Sequence, residues 1–295
     1  MINKDIIIQR EFIIGDEWLY YKFFCGHNAS NKIIKEIIKP LSEELIADGL
    51  IKEWFFIRFN DPSYHLRFRI KIINIESIGH IIKKINVHLK DFILNELIWN
   101  VEVDTYKREL ERYGKTTMLI SENIFYLDSN IIAQFIENAD DEKIYEKSLF
   151  GLRLVKFYID AFGLSIQEKV KFTEKLKNYF YKEFGSEKDL KKQLDKIFID
   201  NQNEINKSFS TNISKTNKLT KDISPHKKEL QKNINKIILL QKKNALEVDI
   251  NDLISSYIHM SINRLFISNN RLHELALYDF LWRNYKKLYF KSTNN

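Results

Sequence analysis

The chain has 295 residues, of which 44% are hydrophobic and 13% aromatic, and its formal net charge is +7. This composition excludes an intrinsically disordered chain and predicts a folded globular protein. The single cysteine, Cys25, excludes an intrachain disulfide framework and a cysteine-based zinc site. Because no signal-peptide pattern is present and no apolar stretch approaches the ~20 residues of a membrane span, we expect a cytoplasmic protein.

The first 50 residues have the pattern of a strand followed by a helix. Residues 5–24 alternate loosely and are rich in aromatic side chains, which predicts the strand. The helix has Ser30 or Asn31 as its expected N-cap, a kink at Pro40 and its end at Gly49.

A β-hairpin is predicted over residues 54–72, with its turn at Asp61-Pro62, and residues 97–106 alternate like a further strand. Helical spacing recurs over residues 76–91, 130–138, 142–161, 166–184 and 226–290. Asp128-Ser129 is the expected cap of the second of these helices. Because the strands concentrate in the N-terminal third, we predict an α+β fold in which an antiparallel sheet packs with many helices.

We expect a single domain over residues 1–295. Between about residues 186 and 229 the composition shifts to Lys, Asn, Ser and Thr, which we interpret as a solvated helix, a polar loop and the start of another helix within that domain. The positive net charge suggests acidic partners, but no nucleic-acid-binding signature is present, so nucleic acid is not the expected main partner.

The second strand of the predicted hairpin has two different faces, because side chains alternate along a strand. The apolar face consists of Tyr64, Leu66, Phe68, Ile70 and Ile72, and the basic face of His65, Arg67, Arg69 and Lys71. Arg67 and Arg69 are therefore neighbours about 7 Å apart. Two guanidinium groups at this spacing suit a ligand with two carboxylates. The alternative is the solvated polar face of a half-buried sheet.

A second basic segment is YKRELERYGK, residues 106–115. Arg108 and Arg112 are four residues apart and share one side if the segment is helical. Glu109 and Glu111 make a surface ion-pair network an equally good interpretation.

A third segment, LISSYIHMSINRLF at residues 253–266, forms a broad apolar helical arc with His259 at its edge. His259 is the best proton-transfer group in the chain if it is catalytic, with Asn263 one turn later to orient the ring. A histidine buried for structural reasons is the alternative. No phosphate-binding glycine loop, nucleophile elbow or metal-ligand spacing occurs, so we expect no cofactor and no metal.

These blocks resemble the elimination domain of lanthipeptide dehydratases, which also occurs in stand-alone thiopeptide-type bacteriocin biosynthesis proteins. The resemblance is carried, in order, by WFFIRFNDPSYHLRFRI, YKRELERYGK, SENIFYLDS and HMSINRL. It extends from EWLYYKFF near residue 17 to the C-terminal helix. The order and spacing of four separate blocks make it specific.

The resemblance implies a reaction and a set of partners. In that family, Ser or Thr of a ribosomally made precursor peptide is esterified with glutamate from glutamyl-tRNA, and the elimination domain removes glutamate to leave dehydroalanine or dehydrobutyrine. The resemblance implies four catalytic residues, which are Arg67, Arg69, Arg112 and His259. We expect the three arginines to bind substrate as well, together with His65 and Asn263. The expected partners are the glutamylated peptide and a separate glutamyl-tRNA-dependent glutamylating protein, and elimination itself needs no nucleic acid.

One position departs from the family pattern. The family usually has two glycines after Arg-Tyr, whereas here Gly114 is followed by Lys115. The departure concerns the loop beside Arg112, not the arginine itself. Two other functions are compatible with the resemblance. Thiopeptide pyridine synthases resemble the same fold and join two dehydroalanines in a formal cycloaddition, and a non-catalytic member would only bind peptide or a partner enzyme. The arginines and His259 favour elimination.

Overall fold

A computed structural model describes residues 8–140, 143–185, 188–209 and 224–293 of the protein. Within these residues all strands lie between Glu11 and Lys107, they pair antiparallel, and helices dominate the remainder. The predicted α+β class is confirmed. The chain forms two compact units, one within residues 1–138 and 223–253 and the other within residues 139–222 and 254–295. The single domain that we expected stays a prediction.

A four-stranded antiparallel sheet is the centre of the first unit. The strands are β1 (Glu11–Phe12), β2 (Trp18–Cys25), β3 (Ile51–Asn60), β4 (Tyr64–Ile72), β5 (Ile98–Val103) and β6 (Tyr106–Lys107). The large sheet has the order β3-β4-β2-β5, and β1 pairs with β6 in a separate two-stranded sheet. The predicted hairpin is the β3–β4 pair, and its Asp61–Pro62 peptide is cis.

Helices account for most of the described residues. They are α1 (His27–Ile33), α2 (Lys39–Ala47), α3 (Ile78–Leu94), α4 (Leu110–Tyr113), α5 (Met118–Asn138), α6 (Ile144–Ala161), α7 (Ile166–Glu183), α8 (Lys188–Asp200), α9 (Gln202–Phe209), α10 (Ser224–Lys242), α11 (Ile250–Leu265) and α12 (Asn270–Thr293). In the second unit α12 packs against α6 and α7. The helices predicted over 142–161, 166–184 and 226–290 are confirmed where they are described. Of the polar segment, residues 186–187 and 210–223 lie outside the described residues.

The predicted N-cap of the first helix is wrong. The helix begins at His27 after Gly26, so Ser30 and Asn31 lie inside it. Both side chains accept hydrogen bonds from the Arg58 guanidinium, at 2.5 Å and 2.6 Å. These hydrogen bonds connect α1 to the sheet, and neither Ser30 nor Asn31 is the N-cap of the helix.

A π-helical turn at Ile34–Ile38 lies directly before α2, which has Pro40 in its first turn, and the kink predicted at Pro40 stays a prediction. A proline leaves a carbonyl of the preceding turn without its usual donor, and a widened turn accommodates the ring. Gly49 ends α2 as predicted, because it adopts a φ of +67°. The N–H groups of Gly49 and Leu50 donate to carbonyls of the last turn.

The helix predicted at residues 130–138 begins at Met118, so Asp128-Ser129 is not its cap. Both residues are buried within α5. Ser129 Oγ accepts a hydrogen bond from the backbone N–H of Phe56, at 3.3 Å. Helix α5 therefore packs along β3 at the edge of the sheet. In the described part of the chain, no helix has the length and apolarity needed to cross a membrane.

Candidate active site

The basic face of β4 contacts aromatic residues of the first unit. The strand register sets Tyr20 of β2 and Phe55 of β3 opposite Arg69. The guanidinium carbon of Arg69 lies 4.3 Å from the ring centre of Tyr20, 5.2 Å from that of Phe55 and 5.1 Å from that of Tyr106. Arg69 is only 8% exposed, so the alternative of a solvated face is wrong at this position.

Arg69 is a buried cation. Its Nε has no hydrogen-bond acceptor, and among the residues that the structure describes it forms no ion pair with a carboxylate. Burial lowers the pKa of Arg69, although the negative field of Glu109 acts in the opposite direction. Taking a cation out of water without a counter-charge costs several kcal/mol. A bound anion would therefore stabilise this arginine.

Arg67 lies on the same face and is oriented by two contacts. Its guanidinium carbon is 3.4 Å from the ring centre of Phe59, and its Nε donates to His65 Nε2 at 3.2 Å. The His65 Nδ1–H therefore donates to the Ser63 carbonyl at 2.8 Å. His65 is 1% exposed, and burial lowers its pKa. The substrate-binding role predicted for His65 stays a prediction.

Arg112 lies in the short helix α4, whereas Arg108 precedes that helix. The two therefore do not share one helical face, as the spacing had suggested. One third of the Arg112 side chain is exposed, and its Nη1 is 3.4 Å from a Glu109 oxygen. The same carboxylate acts to raise the pKa of Arg69, more weakly than the burial that lowers it. Sequence reasoning treated Glu109 only as a surface ion-pair partner.

Arg108 has a structural environment that the sequence did not reveal. Its Nε and Nη2 donate to the two carboxylate oxygens of Glu122, each at 2.7 Å. The Tyr106 hydroxyl donates to the same carboxylate at 2.9 Å. Glu122 is fully buried. Burial by itself would lower the pKa of Arg108, but the hydrogen bonds to Glu122 outweigh it and the pKa is raised.

The loop after Arg112 requires glycine at position 114 but not at position 115. Gly114 has a φ of +73°, and a Cβ there would meet Thr117 at 3.4 Å and Glu247 at 3.5 Å. Lys115 is exposed, and its backbone N–H donates to Glu247 at 2.5 Å. It does not need the left-handed conformation, so the departure from the family pattern is accommodated.

His259 belongs to the second unit, whereas Arg67, Arg69 and Arg112 belong to the first. Its Nδ1 lies 2.8 Å from Glu274 on α12, and its side chain is 31% exposed. Glu274 is thus in a position to orient the ring, and the role predicted for Asn263 stays a prediction. No signal within α11 points to Glu274, because the two residues are 15 positions apart. Among the described residues, no cluster of three His, Cys, Asp or Glu side chains could hold a metal ion.

Comparison with known proteins establishes the family to which this chain belongs. Residues 18–285 match the family model described as lantibiotic biosynthesis dehydratase C-term. The chain belongs to this family, as its motifs predicted.

Two curated relatives agree with this assignment. The chain is 24% identical to the subtilin biosynthesis protein SpaB of Bacillus subtilis, over 89% of this chain and 25% of that protein. It is 28% identical to the nisin biosynthesis protein NisB of Lactococcus lactis subsp. lactis, over 93% of this chain and 26% of that protein. The chain thus spans about a quarter of the length of these relatives.

Solved structures share the fold at lower identity. The tRNA dependent lantibiotic dehydratase MibB from Microbispora sp. 107891 has a TM-score of 0.69 at 16% identity, covering 92% of this chain and 28% of that one. The pyridine synthase TbtD from thiomuracin biosynthesis has a TM-score of 0.65 at 13% identity, covering 92% of this chain and 99% of that one. These likenesses establish the fold alone.

Proposed function

We propose that this protein eliminates glutamate from glutamylated Ser or Thr residues of a ribosomally made precursor peptide, leaving dehydroalanine or dehydrobutyrine. The step belongs to peptide dehydration in lanthipeptide or thiopeptide biosynthesis. The observation that carries the proposal is Arg69, a buried cation enclosed by aromatic rings without a described carboxylate partner. Membership of the dehydratase family supplies the reaction class.

The chemistry fits a pair of arginines. Hydroxide is a poor leaving group, and esterification with glutamate replaces it by a carboxylate. Removal of the α-proton sends its electron pair into a Cα=Cβ bond, and the Cβ–O bond breaks so that glutamate leaves as a carboxylate. Arg67 and Arg69 offer two guanidinium groups for the two carboxylates of departing glutamate. Preorganised donors facing a developing charge stabilise a transition state.

Arg112 and His259 complete the proposed set of catalytic residues. Arg112 carries a partly exposed guanidinium in the same unit as the other arginines. His259 supplies proton transfer, for which imidazole is the side chain best suited near neutral pH. A separate protein that uses glutamyl-tRNA would supply the glutamylated peptide, and the elimination itself would use no cofactor.

The test is incubation of the purified protein with a chemically glutamylated peptide, followed by mass spectrometry. We expect free glutamate and a dehydrated peptide, with no requirement for tRNA and no sensitivity to chelators. Arg10→Ala is the matched control, because Arg10 is an exposed arginine paired with Glu111 at 2.7 Å. Glutamate that stays on the peptide with the wild type would refute the proposal.

A second candidate function is the formal cycloaddition of two dehydroalanines. It is favoured by the fold shared with TbtD, which extends over 99% of that protein. A peptide that already contains two dehydroalanines distinguishes the two activities, since a cyclase would convert it and an eliminating enzyme would leave it unchanged. A member that only binds peptide would act on neither substrate.

A further inference from the structure

One short contact joins α11 and α12 in the second unit. His259 Nδ1 lies 2.8 Å from Glu274 Oε2. A carboxylate accepts hydrogen bonds and donates none. The contact therefore places the proton of a neutral His259 ring on Nδ1, and the other ring nitrogen, Nε2, carries a lone pair.

Glu274 is itself held in place. Its side chain is 3% exposed, against 31% for His259. The Tyr278 hydroxyl, one turn further along α12, donates to Glu274 Oε1 at 3.4 Å. The ring of Tyr278 stacks on Phe180 of α7, with 5.9 Å between ring centres. A fixed, buried carboxylate thus stands behind a partly accessible imidazole, the arrangement in which a third group orients a base.

We infer that Glu274 is a positioning residue that sets His259 to act as a base through Nε2. The inference rests on the proposed function for its substrate, whereas the effect of Glu274 on the ring rests on geometry alone. In the elimination, Nε2 takes the α-proton while glutamate leaves. The resulting imidazolium keeps its Nδ1–H on Glu274, whose negative charge stabilises it, and the proton on Nε2 then passes to water.

Magnetic resonance of the protein with isotope-labelled histidine tests the ring directly. The His259 signals are assigned by their loss in His259→Phe. At about pH 8, where an ordinary imidazole is neutral, the nitrogen shifts of the wild type should identify Nδ1 as protonated and Nε2 as unprotonated. Glu274→Gln should mix or reverse the two tautomers, because an amide can donate to Nδ1. A wild-type ring with its proton on Nε2 would overturn the inference, whatever the activity.

Kinetics with the glutamylated peptide tests the consequence. Glu274→Gln should lower kcat by on the order of 10²–10⁴ and change KM by less than about threefold. Glu274→Asp keeps the carboxylate and should restore part of kcat. Glu204→Gln is the control, because Glu204 lies in the same unit and pairs at the surface with Lys207.

Wild-type turnover by Glu274→Gln would overturn the inference. If that variant does not fold, Glu274→Asp and the wild-type tautomer decide the question. A wild type that releases no glutamate would refute the proposed function, and the tautomer would still report whether Glu274 orients the ring.

Discussion

Arg69 and Arg108 are both nearly buried in the first unit, 8% and 3% exposed, but their surroundings differ. Arg108 donates two hydrogen bonds of 2.7 Å to the Glu122 carboxylate. Arg69 faces the rings of aromatic residues, and its Nε has no acceptor in the described part of the chain. Among the described residues, the first guanidinium has a carboxylate partner and the second forms no ion pair with a carboxylate.

A third buried arginine clarifies what this difference means. Arg58 is 2% exposed, and its guanidinium donates to oxygens of Ser30, Asn31 and Tyr64. Arg58 thus has neutral partners, whereas Arg108 has an acidic one. Arg69 differs from both, because its Nε has neither kind of acceptor among the described residues.

The largest expected effect is on activity, in Arg69→Ala. Elimination should fall by at least about 10³-fold, because a donor that faces the developing charge is lost. The net change in stability should be small, because the lost contacts with the aromatic rings are offset by the removal of a buried charge. Glutamate release and a urea unfolding curve from one preparation measure both. A variant that unfolds would make Arg69 a structural residue like Arg108.

For Glu122→Gln, the expected effect is a loss of stability. Removing one partner of a buried ion pair leaves Arg108 uncompensated and should cost about 3–5 kcal/mol of unfolding free energy. Urea denaturation compares it with Glu111→Gln, which removes an exposed partner of Arg10 and should cost less than about 1 kcal/mol. Equal midpoints for the two variants would contradict the structural role of Glu122.

Arg67→Lys separates charge from geometry on the same strand. Lysine keeps the positive charge but cannot form two parallel hydrogen bonds with a carboxylate. Hydrogen bonds to charged groups contribute roughly 1.5–3 kcal/mol, so elimination should slow by about 10–100-fold. Initial rates of glutamate release measure the loss. A fully active lysine variant would mean that Arg67 acts only as a distant charge.

The smallest effect is expected for Tyr106→Phe, which removes the hydroxyl bound to Glu122 and keeps the ring beside Arg69. Burial, reinforced by Glu122, raises the pKa of Tyr106 well above its usual range, so the hydroxyl is a neutral donor. Stability should fall by about 1–2 kcal/mol, while elimination stays within about threefold of the wild type. A large loss of activity would assign the hydroxyl a direct part in the reaction.

Local patterns in the sequence predicted part of this site. Strand alternation places Arg67 and Arg69 on one face, and the motifs predicted the family. The rings around Arg69 were not predictable, because Tyr20, Phe55 and Tyr106 reach it from three other strands. Glu122 was not predicted for a related reason. It lies within α5, whereas its partners Tyr106 and Arg108 lie before that helix, and a single buried carboxylate in an apolar helix produces no periodic pattern.

The same limit applies to the histidine. Asn263 was the orienting residue that helical spacing could suggest, since it lies one turn from His259. The structure places a further group beside the ring, Glu274, which lies on another helix. Residue spacing identifies neighbours only within one helix or strand. Glu122 and Glu274 each lie on a different element from the residues that they contact, so spacing could not predict them.

The central claim is that Arg69 holds the anionic glutamyl group. It is tested most directly by calorimetric binding of a peptide that carries glutamate through an amide, which cannot leave, beside the same peptide without glutamate. The wild type and Arg10→Ala should bind the glutamyl peptide at least about tenfold more tightly, a difference of about 1.4 kcal/mol. Arg69→Ala should lose most of this preference, because only Arg67 and Arg112 remain to bind the glutamyl group. An undiminished preference for the glutamyl peptide in Arg69→Ala would contradict the claim.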